Sequence, residues 1–290
     1  MASVLSSLRY LFADLLGEDD DAPLFLPDGL PEAAVPVVSE GIDLLLDYQG
    51  PGYAQLYVDR VRRFVGRPRV GAAMLCEIAQ LLARRMAYDD PIRIAQLGLA
   101  DLQGTAPRRS RPDIGKFRLD EVVGALPEAA ADPLLAVFGR IGWLHRQVTL
   151  RFSAASPLAG RCLKHVAGLR RWRLHSVRYA EERAWVERWL HMIARCLDKQ
   201  PASTAAIVAT ATMIRGYGDD YRRGLADWHA VIDGLAKPTF DGVLPLADLA
   251  AAIAEARAVA PDPRQAGLKR TIAQIRARAL DASQGTNAAE

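Results

Sequence analysis

Four stretches of this chain gather side chains able to bind or hold charge. The first is Asp47-Tyr48-Gln49-Gly50-Pro51-Gly52-Tyr53, continued by Tyr57 and Arg60. Tyrosine hydroxyls and a guanidinium at helical spacing can donate to an anion or satisfy one another inside a core. The second is Arg84-Arg85-Met86-Ala87-Tyr88-Asp89-Asp90-Pro91-Ile92-Arg93. Asp89 is one helical turn from both Arg85 and Arg93. That spacing suits an ion-pair network at a helix junction, or a clamp for a ligand carboxylate. The third is Arg215-Gly216-Tyr217-Gly218-Asp219-Asp220-Tyr221-Arg222-Arg223. Its arginines surround a helix start that attracts anions, while Asp219 and Asp220 compete for the same end. This stretch is read first as a structural turn, with positive φ at Gly216 or Gly218 and Asp219 or Asp220 capping the next helix. The fourth runs from Arg161 to Arg178 and carries Arg161, Lys164, Arg170, Arg171, Arg173 and Arg178 around Trp172, without an acid. It reads as a solvated face, a partner-protein surface or a phosphate-binding strip.

The candidate binding or interaction residues are therefore Tyr48, Tyr53, Arg60, Arg85, Tyr88, Asp89, Arg93, Arg215, Tyr217, Asp219 and Arg222. No catalytic residue is assigned. Gly216-Tyr217-Gly218 lacks the third glycine of a dinucleotide loop and follows a helical pattern rather than a strand. The five histidines have no metal-ligand spacing, and Cys76, Cys162 and Cys196 lie far apart. No metal site and no iron–sulfur ligand set is expected in this chain. An odd, sparse set of cysteines with no pairing motif suits a reducing compartment, so a cytoplasmic location is expected. The start of the chain has no signal-peptide pattern, and no apolar run reaches the ~20 residues that span a bilayer. No membrane association is expected.

The elements that must position these residues are helical. Half of the 290 residues are hydrophobic, with alanine, leucine and arginine abundant, a balance that favours helix over strand. Gly50 closes one helix and Pro51 opens the next, with Tyr53, Leu56, Tyr57, Val61 and Phe64 on one face. Asp89 or Asp90 can cap a helix that has Pro91 in its first turn. A helix is expected from Asp132 through Phe152, and others after Pro157, Pro201, Asp219 and Pro263. The fold class is all-α, a single domain of about ten antiparallel-packed helices. Residues 1–31 read as a partly flexible arm, 32–280 as the helical domain and 281–290 as a disordered tail. The loop 104–115 is the least regular interior stretch. A formal net charge of +3 is too small to imply a nucleic-acid partner by itself.

Taken in order, these stretches resemble one family. Asp47-Tyr48-Gln49 with Tyr53, Tyr57 and Arg60 comes first, then Arg85-Met86-Ala87-Tyr88-Asp89-Asp90 with Arg93. Arg170-Arg171-Trp172 with Arg178-Tyr179-Ala180-Glu181-Glu182 follows, then Gly216-Tyr217-Gly218-Asp219 with Arg222, Arg223 and Gly224. The resemblance is to the C-terminal helical region of the indolepyruvate ferredoxin oxidoreductase beta subunit, a domain of unknown function, over about residues 38–277. The roughly forty residues before Asp47 are too few for the gamma-type α/β domain that normally precedes it. Asp220-Tyr221 stands where that family commonly has Thr-His.

The resemblance implies a thiamine-dependent oxidation of arylpyruvates and related 2-oxoacids, with electrons passed to ferredoxin. It places thiamine diphosphate and iron–sulfur clusters in a partner subunit and no cofactor in this chain. The function expected from it is that of a non-catalytic accessory subunit or paralogue that supports assembly of the complex. The expected partner is a thiamine-dependent oxidoreductase subunit, with nucleic acid not an expected one. The alternative is a stand-alone helical module that binds a small anion or nucleic acid.

Overall fold

The computed structural model describes residues 26–102, 114–126, 128–151 and 157–287. Most of the N-terminal arm, most of the 104–115 loop and the last three residues of the tail lie outside them. The fold is all-α. The helices are α1 (Val35–Tyr48), α2 (Pro51–Arg62), α3 (Ala72–Met86), α4 (Pro91–Leu102), α5 (Leu119–Gly124), α6 (Glu128–Arg140) and α7 (Pro157–Gly168). They continue as α8 (Val177–Lys199), α9 (Thr204–Ala209), α10 (Gly218–Val231), α11 (Lys237–Phe240), α12 (Leu249–Arg257) and α13 (Ala266–Asn287). The last helix thus runs through most of the stretch read as a tail.

The chain forms two compact units. One comprises the chain up to Arg67 with Leu82–Trp185, and the other Pro68–Leu81 with Val186 onward. In the first, α1 packs against α2 and α4 against α7. The break between α1 and α2 sits at Gly50, whose φ of 120° and ψ of −175° belong to a region essentially reserved for glycine. This is a positive φ, though outside the left-handed helical region. Its N–H returns to the Leu45 carbonyl at 3.1 Å, closing α1, and Pro51 starts α2.

The first unit also contains the one departure from helix among the described residues. β1 (Ile114–Arg118) pairs antiparallel with β2 (Gln147–Arg151), with Phe117 opposite Val148. The helix expected from Asp132 through Phe152 therefore stops at Arg140, and a turn with Gly142 at φ 70° redirects the chain into β2. Pairing with a distant strand outweighs the local helical pattern here.

In the second unit, Trp189 and Trp228 are fully buried. Trp228 Nε1 donates to Thr210 Oγ1 at 3.1 Å, Thr210 Oγ1 donates to the Ile207 carbonyl at 2.6 Å, and Trp189 Nε1 donates to that carbonyl at 3.3 Å. A π-helical turn at Ile232–Ala236 separates α10 from α11. It carries the Gly234 carbonyl to the α13 side chain of Arg276, whose Nη1 donates to it at 2.9 Å. This supplies one local cause for the irregular turn.

Arg188 links α8 to this region. Its Nη2 bonds Asp233, and its Nη1 lies 2.9 Å from His229 Nδ1. A guanidinium only donates, so Nδ1 must accept and the ring must be neutral. Burial, then the Arg188 charge, hold the His229 pKa below its ordinary value. A base with a lowered folded pKa contributes stability above its unfolded value, ~6.5, and loses it as pH falls below that value. The denaturant midpoint is thus expected to drop between pH 7.5 and 5.5, and His229→Gln is expected to flatten that slope. An unchanged slope in the variant would assign the pH dependence elsewhere.

Candidate functional site

The strongest polar constellation is in the first unit, around Asp90 and Arg173. Asp90 precedes Pro91 and caps α4: its Oδ1 accepts the Arg93 N–H at 2.6 Å. The same carboxylate takes both prongs of Arg173, Nε to Oδ2 at 2.9 Å and Nη2 to Oδ1 at 3.1 Å. Arg173 belongs to a 3-10 turn, Leu169–His175, that leads into α8. Ser176 fixes the transition. Its Oγ donates to the Arg173 carbonyl at 2.7 Å and accepts the Tyr179 N–H at 3.1 Å.

The rest of the guanidinium is also engaged. Arg173 Nη1 donates to the Tyr48 carbonyl at 2.8 Å and to Gln49 Oε1 at 3.0 Å, and Nη2 reaches Gln96 Oε1 at 3.2 Å. It lies 4.0 Å from the centroid of the Tyr48 ring, within cation–π range. Burial works against its charge, but the neighbouring Tyr48 and Asp90 outweigh burial and raise its pKa.

Tyrosines close around the pair. Tyr48 donates to the Tyr88 carbonyl and Tyr53 to the Met86 carbonyl, each at 3.0 Å. Ring centroids lie 5.9 Å apart for Tyr48 and Tyr53, 5.7 Å for Tyr48 and Tyr88, and 6.1 Å for Tyr53 and Tyr179. Burial pushes the hydroxyls of Tyr48, Tyr53 and Tyr88 well above the ordinary tyrosine value, and Asp90 adds to this at Tyr48 and Tyr88. They remain neutral at physiological pH, so the site holds charge in the Asp90–Arg173 pair rather than releasing a proton.

Of the residues singled out from sequence, Tyr48, Tyr53 and Tyr88 meet in this network, and Arg93 borders it. Arg93 pairs with Asp47 at 2.8 Å and sits 5.6 Å from the Tyr48 ring centroid. Arg60 is buried in the last turn of α2, Arg85 is half-buried on α3, and Asp89 keeps an exposed edge while burial raises its carboxyl pKa against the opposing charges of Arg85 and Arg93. Asp90 is the cap of α4 and the ion-pair partner of Arg173 at this junction. Asp90, Gln49, Gln96 and Arg173 were not among the candidate residues. The available signal was an aspartate before a first-turn proline and an arginine run without a nearby acid.

The basic Arg161–Arg178 stretch divides in the structure. Arg173 is in the core, Arg178 pairs with Glu182 at 2.9 Å, and Arg170 donates to the Leu46 carbonyl at 3.2 Å. Arg161, Lys164 and Arg171 face outward. The six cations thus form no continuous basic face.

Arg215, Tyr217, Asp219 and Arg222 belong to the second unit. Arg215 and Asp219 are exposed, and Tyr217 and Arg222 half-buried. Gly216 and Gly218 both have positive φ, 65° and 67°. Neither aspartate caps α10. Tyr217 holds the cap position and makes no side-chain cap hydrogen bond, and Asp219 and Asp220 lie in the first turn. Their charge there favours the positive end of the helix without the cap hydrogen bond. Asp220 pairs with Arg223 at 3.3 Å.

Valine at both glycines is expected to cost about 2–4 kcal/mol, from ~1–2 kcal/mol for each left-handed residue. The thermal midpoints of Gly216→Val/Gly218→Val and Tyr217→Phe measure this. A double variant that melts like its parent would show that the turn is not constrained.

Among the described residues, no group of three or more His, Cys, Asp or Glu could hold a metal ion, and no helix is long and apolar enough to cross a membrane. The chain belongs to a family of unknown function, DUF6537, which it matches over residues 34–234. That span contains the whole Asp90–Arg173 network and the Gly216–Gly218 turn. No curated protein and no solved structure matches the chain.

Proposed function

We propose that this chain is a non-catalytic accessory subunit, or a paralogue of the helical region, of a thiamine-dependent indolepyruvate or 2-oxoacid:ferredoxin oxidoreductase, and that it supports assembly of that complex. One observation carries the reading. The motifs that bear the resemblance supply Tyr48, Gln49, Tyr88, Asp90 and Arg93, and the Arg170-Arg171-Trp172 stretch is followed directly by Arg173. These side chains form or border one network in the first unit. Polar groups that satisfy one another in a core specify a fold, and a shared fold is what a shared assembly role requires. In this reading thiamine diphosphate and the iron–sulfur clusters belong to the partner subunit.

The first unit also offers apolar surface for a contact. Leu134, Val137 and Ile141 recur at helical spacing on and just after α6, at 39%, 51% and 50% exposure. Exposed apolar area of this kind is common at protein interfaces.

The test is co-expression with the thiamine-enzyme subunit of the same genome. A stoichiometric complex is expected, together with no arylpyruvate oxidation by the isolated chain when thiamine diphosphate and an acceptor dye are supplied. Robust turnover by the isolated chain, or failure of the two proteins to associate, would overturn the proposal.

A further inference from the structure

The second unit contains an open cleft of about 330 Å³, a size typical of small-molecule sites. It lies where the end of α12 and the start of α13 meet Thr212–Arg215 and α10. Its lining includes the apolar side chains of Met213, Ala256, Val259 and Leu268. Arg215 and Arg257 stand on its rim, and both are anchored to one residue. Arg215 Nε donates to the Thr212 carbonyl at 2.7 Å, and Arg257 Nη2 donates to Thr212 Oγ1 at 2.9 Å.

Those anchors are neutral oxygens. Neither arginine forms an ion pair with a carboxylate among the described residues. Each guanidinium has five N–H donors, and the one bond that each makes to Thr212 leaves its other donors available to a ligand. Two guanidiniums drawn to one threonine repel each other, and a bridging anion converts that repulsion into forked, charge-assisted hydrogen bonds.

The cleft also contains two carboxylates, and both are engaged. Asp227 Oδ1 accepts Gln265 Nε2 at 2.7 Å. Asp262 precedes α13, with Oδ2 accepting the Ala266 N–H at 2.9 Å and Oδ1 the Arg264 N–H at 3.2 Å. Gln265 holds its bond to Asp227 from a backbone φ of 56°. A non-glycine residue in that region stores strain, which is commonly found where a site is held in shape.

We infer that this cleft binds a small organic carboxylate, with its anionic head between Arg215 and Arg257 and its apolar body against Met213, Val259 and Leu268. The apolar lining residues separate this ligand class from a bare phosphate, and the two arginines separate it from a neutral apolar molecule. The inference is independent of the assembly role, since the cleft and the Asp90–Arg173 network share no residue.

The test uses the full chain with hexanoate, 1-hexanol and inorganic phosphate as probes, followed by titration calorimetry and by amide shifts at Thr212 and Gln265. Hexanoate is expected to bind at least about tenfold more tightly than either other probe, and the double variant Arg215→Gln/Arg257→Gln to lose at least about tenfold in hexanoate affinity. Both arginines are exposed, so the thermal midpoint of the variant is expected to match the parent. A second variant, Val259→Asp, is expected to weaken hexanoate and leave the arginine rim in place. Equal binding of phosphate or hexanol, unchanged hexanoate affinity in the arginine variant, or no hexanoate binding by the parent would each overturn the assignment.

Discussion

Arg173→Met is expected to destabilise the protein by about 3–5 kcal/mol, the usual consequence of removing one partner of a buried ion pair. The guanidinium is 1% exposed and Asp90 3%. Without Arg173, a buried carboxylate loses two charge-assisted bonds, and Gln49, Gln96 and the Tyr48 carbonyl lose a donor. Asp90 keeps its bond to the Arg93 N–H, but one backbone donor does not replace a guanidinium. The double variant Arg173→Met/Asp90→Asn is expected to recover most of the loss, because asparagine retains a capping oxygen and removes the stranded charge. Equilibrium urea unfolding of the parent, both single variants and the double variant measures the coupling. Additive effects would mean that the pair contributes no more than its separate parts. A parent-like Arg173→Met would remove the network from any account of the fold.

Trp228→Ala is the second large expected effect, about 3–5 kcal/mol from the cavity left by a fully buried indole. The indole also ends the hydrogen-bonded run through Thr210 to the Ile207 carbonyl, and its ring meets His229 edge-on at 5.0 Å between centroids. Trp228→Phe restores much of the ring volume but not the Nε1–H. Its expected cost is smaller, about 1–2 kcal/mol, from the lost bond and imperfect filling. Urea midpoints for the two variants separate packing from hydrogen bonding. Native-state hydrogen exchange should show the loss of protection first in α10 and the Thr204–Met213 segment. Equal destabilisation by alanine and phenylalanine would mean that the hydrogen bond, rather than the ring volume, stabilises this part of the core.

These two results bear on different parts of the chain and on different proposals. Arg173 tests the motif residues from which the assembly role is argued. Trp228 tests the framework that holds α10, on which Asp227 of the carboxylate cleft stands. Hexanoate binding in Trp228→Phe, measured under conditions where the variant is fully folded, is expected to match the parent.

The helical class was legible in the sequence because alanine, leucine and arginine act through propensities within single turns. The same holds for the break at Gly50–Pro51, the Asp–Pro start of α4 and the positive φ in the Gly216–Gly218 turn. Each depends on interactions within about four residues, which a sequence displays directly. The β1–β2 ladder was not legible, since it sets Phe117 opposite Val148, with helices between them in the chain. Nor was the partner of Arg173, an aspartate 83 positions earlier in the chain. The acidic pair after Gly218 looked like a cap, yet the turn geometry puts Tyr217 in that position. The grouping of Arg215 and Arg257 at Thr212 likewise depends on how α12 returns to the Thr210–Met213 turn. Local composition determines which segments become helices, while which charges are buried and which remain available to a ligand depends on contacts between residues distant in sequence.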